Sequence, residues 1–268
     1  MVVNLAQLLD QWRADPEFRS CVTAWEVLPP RPARYAEFPQ ELDPALIQVL
    51  RQRGIQALYT HQAAAVRAVA RGEHVVVVTP TASGKTLCYN LPVLNSLLQE
   101  PEARALYLFP TKALAQDQRA ELQSWITALG RDIKMHTYDG DTPADIRRTL
   151  RVSGHIILTN PDMLHTGILP HHTKWMRLFE RLRYVVIDEL HQYRGVFGSH
   201  VANVLRRLHR ICKFYGSEPV FITTSATIAN PVEHASRLAG LPVELVDNNG
   251  APRGAMRFVL WKPPTRTP

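Results

Sequence analysis

The densest chemistry in the sequence lies in eight residues, Thr79-Pro-Thr-Ala-Ser-Gly-Lys-Thr86. They follow the apolar run His74–Thr79 and precede a helical period, so they form a loop between a buried strand and a helix N-terminus. A polyanion held there meets converging backbone N–H groups, the positive end of a helix and one cation. Thr81, Ala82 and Ser83 belong to that cradle, and Gly84 has no side chain to block the approach. Lys85 reaches the β- and γ-phosphates of a nucleotide, and Thr86 offers its hydroxyl to Mg²⁺. Against the pattern G-x-x-x-x-G-K-[ST], Thr79 stands where the first glycine is expected. The expected ligand is ATP or GTP.

A second constellation, Tyr184-Val-Val-Ile-Asp-Glu-Leu-His191, puts two carboxylates at the end of another apolar strand. Asp188 would hold Mg²⁺ through water, and Glu189 would orient and deprotonate an attacking water. Ligands of open parallel sheets collect at the carboxyl edge of the strands. The loop and the acidic pair are therefore expected to face each other across neighbouring strand tips. A water nucleophile makes hydrolysis the expected reaction, rather than phosphoryl transfer to a substrate.

These groups need a scaffold. Strands are expected at His74–Thr79, Arg104–Phe109, Ile133–Tyr138, His155–Thr159, Tyr184–Asp188, Pro219–Thr224 and Val243–Val246. Helical periods lie around 85–99, 112–129, 142–151, 172–181, 199–213 and 231–239. Runs such as Val75–Val78 are apolar on both faces, as strands covered by helices on both sides must be. The alternation predicts an α/β fold with a doubly wound, mostly parallel sheet. Thr60 is expected to cap a helix that Gly72 ends, and Ser199 to cap the helix after it in the sequence Val201–Arg210. Residues 1–50, with a short helix at 4–14 and then Pro29, Pro30, Pro32, Pro39 and Pro44, read as an N-terminal extension to a domain over 51–260. Residues 261–268 read as a linker.

Composition limits the alternatives. The chain has 268 residues, 46% hydrophobic and 21% charged, enough for a sizeable core without disulfides. No run approaches the ~20 apolar residues of a membrane span, so no membrane partner is expected. Three scattered cysteines suit a reducing compartment, and a cytoplasmic location is expected, nucleoid-associated if the source is bacterial. The last quarter, 201–268, carries nine cations against four anions, which permits nucleic-acid binding. Arg206, Arg207, Arg210 and Lys213 form a basic helix flank, expected to be a solvated face.

Taken together, Thr79–Thr86, Asp188–His191 and Thr224-Ser-Ala-Thr227 resemble motifs I, II and III of the superfamily-two helicases, in order and spacing. Tyr59-Thr-His-Gln62 resembles the adenine-recognising Q motif, Phe109–Gln116 resembles motif Ia, and Thr159–Leu164 the motif after it. The run 188–210 is similar to the DExH branch containing the bacterial mitomycin-repair helicases and the fungal Hrq helicases, relatives of the RecQ-four type. The resemblance covers roughly residues 40–262.

It implies a RecA-like P-loop NTPase domain and ATP-driven 3′→5′ translocation on single-stranded or tailed DNA, in DNA repair. Carried over residue by residue, it implies that Gln62 reads the adenine edge with Tyr59 near the base. His191 would link the nucleotide to motif III, and Ser225 and Thr227 would relay its state to the DNA side. Thr111, Lys112, Asn160, Asp162 and Met163 would hold DNA phosphates without reading bases, although Thr111 and Asn160 are also placed to be helix caps. The family has two such lobes with ATP between them. Motifs IV to VI, with the arginine finger, are not found in this sequence, nor is the cysteine-bearing C-terminal region of the close relatives. The resemblance therefore implies a second lobe in cis, and little ATP binding or hydrolysis without it. An RNA helicase lobe and a non-catalytic nucleotide-sensing scaffold remain as alternatives; a small-molecule kinase leaves the Q-like and motif III segments without a role.

Overall fold

The structure, a computed structural model, describes residues 4–263. The ends of two expected segments, 1–3 of the extension and 264–268 of the linker, lie outside the described residues. Contacts divide the chain into a larger unit, Arg34–Ala251, and a smaller one made of the two chain ends.

The larger unit is built on seven strands: β1 (Val75–Val78), β2 (Arg104–Leu108), β3 (Met135–Thr137), β4 (Ile156–Thr159), β5 (Leu182–Ile187), β6 (Val220–Ser225) and β7 (Glu244–Val246). All pairings are parallel, in the order β7-β1-β6-β5-β2-β4-β3. The doubly wound sheet expected from the sequence is present. The apolar strands divide their side chains by pleat. Val75, Ala105, Tyr107 and Val186 join one core, and Val76, Leu106, Leu108, Val185 and Ile187 join the other.

Helices α1 (Thr60–Ala70), α2 (Thr86–Gln99) and α3 (Lys112–Leu129) fill the first core with residues such as Val66, Leu91 and Trp125. Helices α4 (Ala144–Ser153), α5 (Gly195–Phe214) and α6 (Pro231–Ala239) fill the second with Leu150, Leu205 and Leu238. Each fully buried aliphatic side chain contributes roughly 1.5–3 kcal/mol. That burial on both faces makes the strand tips rigid supports.

Several local expectations are corrected. The N-cap of α1 is Tyr59, whose N–H is bonded by the Gln62 side chain; Thr60 is the first helical residue and donates its hydroxyl to Asn248 O. Helix α5 starts at Gly195, four residues before Ser199, whose hydroxyl bonds back to Gly195 O. The period at 172–181 is a 3₁₀ segment, Leu169–Trp175, followed by the short helix Met176–Glu180, because the backbone leaves helical angles at His171.

The boundary of the larger unit falls at Arg34, not at 51. Helix Pro44–Gln52 buries Leu46, Val49 and Leu50 in the first core, and Tyr35–Ala36 pairs with Leu58–Tyr59. In the smaller unit, helices Leu5–Ala14 and Pro16–Cys21 precede a strand, Val22–Leu28, paired antiparallel with Met256–Trp261. This ribbon is not among the strands expected from the sequence. Its strands come from opposite ends of the chain and carry no clean alternation of apolar and polar residues.

Candidate active site at the carboxyl edge of the sheet

Parallel strands bring every segment that follows them to one edge. Along that edge stand, in spatial order, the 79–86 loop after β1, Ser225–Thr227 at the tip of β6, Asp188–His191 after β5, Thr111–Lys112 after β2 and Asn160–Met163 after β4. Strands β1 and β5 are not neighbours, as the sequence suggested; β6 lies between them and is hydrogen-bonded to both.

The 79–86 loop is shaped by two left-handed residues, Ala82 (φ 58°) and Gly84 (φ 79°). Glycine is favoured at 84 by its left-handed φ, and a Cβ there would stand 2.7 Å from Gln62 Nε2 and push that amide aside. The threonine in place of the first glycine has a structural role: its buried Oγ1 lies 2.6 Å from Ser83 Oγ and ties the two ends of the turn. Lys85 Nζ donates to the carbonyl oxygens of Thr79 and Pro80, each at 2.9 Å. Burial lowers the lysine's pKa, and the charges of Glu189 and Asp188 oppose that shift. The lysine and the acidic pair therefore lie within each other's field. Thr81 and Ala82 are exposed and Thr86 is half-buried at the start of α2.

Helix α1 supports this loop from below. Gln62 accepts from Tyr59 N–H (2.9 Å) and donates to Gly84 O (2.9 Å), so both ends of its amide are engaged. Beside it, fully buried His61 accepts from Gly250 N–H at Nδ1 (3.2 Å), which leaves Nε2 to donate to Ser83 O (3.1 Å). Burial lowers its pKa to about 4, against a raising effect of the Ser83 bond. Tyr59 stacks between Tyr35 and His61, with centroids 5.4 and 5.9 Å away.

The acidic pair is held by groups from three elements. Asp188 Oδ1 accepts from the Thr224 hydroxyl and from Glu189 N–H, and Oδ2 lies 3.4 Å from the Tyr89 hydroxyl of α2. The link from motif II to the β6 strand thus runs through Thr224. Ser225 Oγ is buried without a hydrogen-bond partner, and Thr227 is exposed. Glu189 sits in the left-handed region (φ 52°, ψ 44°), a conformation that costs a non-glycine residue about 1 kcal/mol or more. His191 Nδ1 is 3.3 Å from Glu189 Oε2, an ion-pair distance without hydrogen-bond alignment. Behind them the hydroxyl of Tyr193 is buried and unpartnered, its pKa raised first by burial and then by Asp188 and Glu189.

For a divalent cation the donor set is hard oxygen, the Thr86 hydroxyl and the Asp188 carboxylate. Among the described residues no group of three or more His, Cys, Asp or Glu is arranged around a metal position. Mg²⁺ suits this poverty of ligands, because it keeps several waters and takes the rest from phosphates. The two donors fit it.

Farther along the edge, Thr111 Oγ1 accepts from Leu114 N–H and Asn160 Oδ1 from Met163 N–H, so both are helix caps. Lys112 forms an exposed ion pair with Asp141 at 2.6 Å. Asp162 is exposed and Met163 half-buried. These five residues lie on the same edge as the loop and the acidic pair, two and three strands beyond β6.

Reading by motif passed over His61, Tyr89, Thr224 and Tyr193. Tyr89 follows Lys85 by one helical turn, a spacing that signals a shared face. The others became legible only when partners distant in sequence met. Cys88 and Cys212 are buried, and burial pushes the Cys88 thiol up to about 12, which makes it a packing residue. No helix of the described residues is long and apolar enough to cross a membrane.

Residues 59–235 match the DEAD/DEAH box helicase family. The chain is 62% identical, over 243 residues, to the uncharacterized ATP-dependent helicase YprA of Bacillus subtilis, covering 91% of this chain and 32% of that protein. It is 39% identical to the ATP-dependent helicase HRQ1 of Saccharomyces cerevisiae, covering 98% of this chain and 25% of that one. Among solved structures, the DUF1998 helicase MrfA bound to DNA and AMPPNP superimposes with a TM-score of 0.94 at 58% identity, over 98% of this chain and 36% of that chain. The chain spans about a third or less of the length of these relatives.

Proposed function

The chain belongs to the DEAD/DEAH box helicase family, and from that membership we propose that it is the ATP-binding, RecA-like lobe of a motor that moves 3′→5′ along single-stranded or tailed DNA in DNA repair. The observation that carries this is that Lys85 lies at the same sheet edge as Asp188 and Glu189 and within their field, with Asp188 anchored to both α2 and β6. A similar chain, MrfA, has been crystallised bound to DNA and AMPPNP, which supports ATP as the nucleotide and DNA as the track. The site's working location is the cytoplasm, on the nucleoid in a bacterium.

In this proposal the N–H groups of 81–84 and the Lys85 ammonium hold the phosphates, Lys85 exchanging its bonds to Thr79 and Pro80 for phosphate oxygens. Gln62, with Tyr59 beside it, takes the adenine edge by exchanging its bonds to Tyr59 N–H and Gly84 O for the base. Thr86 and Asp188 would hold Mg²⁺, which supplies charge neutralisation on the β- and γ-phosphates when bound. Glu189 accepts the proton of the attacking water, and Thr224 senses Asp188 for the motif III strand ahead of Ser225 and Thr227. His191 orients the Glu189 carboxylate. Thr111, Lys112, Asn160, Asp162 and Met163 hold the DNA backbone, and a second RecA-like lobe completes the nucleotide site.

Titration of a fluorescent ATP analogue tests the nucleotide site. Lys85→Ala is expected to weaken binding at least about tenfold, roughly the 1.4 kcal/mol of one charge-assisted contact. Equal affinity would instead favour a scaffold without nucleotide chemistry. Oligothymidine should enhance nucleotide affinity more than oligouridine; the reverse would favour an RNA helicase lobe.

A further inference from the structure

Helix α5 carries Arg206, Arg207, Arg210 and Lys213 and not one acidic residue. The sequence predicts a solvated flank. On one side of α5, however, the structure forms a cavity of about 370 Å³ against the turn that follows β4. Pro161, Asp162 and His165 make one wall; Phe197, Arg207 and Arg210 stand on the other. The spacing 197, 200, 204, 207, 210 follows the helical repeat of three and four, so these residues form a single stripe along the axis.

Three observations indicate what the groove holds. Neither Arg207 nor Arg210 has an ion-pair or hydrogen-bond partner among the described residues, whereas Arg206 bonds Asn203. Unpaired guanidinium groups facing a cavity call for an anion, and Asp162 is the single acid in the lining. Phe197, tilted against the Tyr193 ring at 5.7 Å, is still 41% exposed at the first turn of the stripe, an aromatic face open on the same side of the helix as the two arginines. The opposite wall begins at Pro161 and Asp162, inside the Asn160–Met163 segment, so the groove is continuous with the carboxyl edge where the other candidate DNA residues stand. Aromatic and cationic groups in one track suit a polyanion with stacking faces better than an acidic peptide.

We propose that this groove is a second contact for single-stranded DNA, continuing the track past Asn160–Met163, with Arg207 and Arg210 on phosphates and Phe197 stacked on a base. The proposal rests on the DNA-motor function proposed above and extends the track onto α5. It carries no base specificity, since guanidinium groups on phosphates position a strand without reading it.

Anisotropy of labelled oligothymidine of about 20 nucleotides, titrated with the chain from about 50 to 200 mM salt, tests it. Arg207→Gln with Arg210→Gln is expected to lower affinity at least about tenfold at the low-salt end. It should also make the slope of log affinity against log salt shallower by about 1.4, two phosphate contacts at ~0.7 each. Phe197→Ala should lower affinity about fivefold or more with the slope unchanged. The arginine double variant should melt within a degree or two of the parent, because neither arginine is paired; Phe197→Ala gives up a ring contact with Tyr193 and is compared with the parent at a temperature where both are folded. If the double variant binds within twofold of the parent with the same slope while Lys112→Gln weakens binding, the groove is not on the track and the DNA function stands. If the parent does not bind oligothymidine at all, both fall. If polyglutamate of equal charge competes as well as DNA, the groove belongs to an acidic peptide and the proposal is overturned.

Discussion

His61 ties the phosphate loop to the turn at Gly250 as a neutral imidazole, and its protonation should loosen both. The folded protein holds its pKa at about 4 where the unfolded chain has the ordinary 6.5. Above pH ~6.5 both states are neutral and the stabilisation is complete. Between ~6.5 and ~4 the unfolded chain takes a proton that the folded one refuses, so stability falls with pH; below ~4 both are protonated and the loss stops. At about 1.4 kcal/mol per pH unit, the whole window corresponds to about 3 kcal/mol. His74, His155 and His209 also have lowered values, each first through burial, and add to the same trend. A difference measurement isolates His61. Urea unfolding of the parent and of His61→Gln, whose amide keeps a donor for Ser83 O, should give stability curves that converge by about 2–3 kcal/mol between pH ~7.5 and ~4.5. Nucleotide affinity of the parent should weaken over the same range, since Ser83 O is held by the same ring. Parallel stability curves would refute the neutral bridging role.

Thr224 and Ser225 are adjacent threonine and serine with opposite expected fates. Thr224→Val removes a hydroxyl donated to a buried carboxylate and should cost about 1.5–3 kcal/mol in thermal or urea unfolding. Ser225→Ala removes a buried oxygen without a partner, and should leave stability unchanged or raise it slightly. Gly198→Ala would place a Cβ 2.4 Å from the carbonyl oxygen of Tyr193, a backbone atom that cannot swing away, so a loss of about 2 kcal/mol or more is expected by thermal melting. Gly84→Ala combines a left-handed backbone with a Cβ 2.7 Å from Gln62 Nε2. It should weaken nucleotide-analogue binding at least about tenfold while lowering stability by only about 1 kcal/mol, as the loop is exposed.

The chemistry of the nucleotide loop is legible in the sequence because its residue types are dictated by the ligand. A phosphate cradle needs a glycine, a lysine and a hydroxyl in fixed order after a strand, and the sequence has them at 84, 85 and 86. The parallel sheet was legible for a related reason. Strands covered on both faces must be apolar at every position, and Val75–Val78 is. Helix starts were less legible. Ser199 and Thr60 are good capping residues by type, but the N-caps are Arg194 and Tyr59: α5 begins a turn earlier at Gly195, and the Gln62 side chain takes the Tyr59 N–H, which puts Thr60 inside α1.

The order of strands, and with it which motif stands between which others, was decided only by the fold. Linear spacing places motif III after motif II; the β7-β1-β6-β5 order inserts it between the loop and the acidic pair. For that reason Thr224, and not its neighbours, reaches Asp188. The same holds for the His61 bridge, the paired strands at the two chain ends and the groove along α5, each joining residues that no local period relates. The residue types set what the edge is able to bind, through their charges and donors; the burial of both sheet faces fixed where those groups meet.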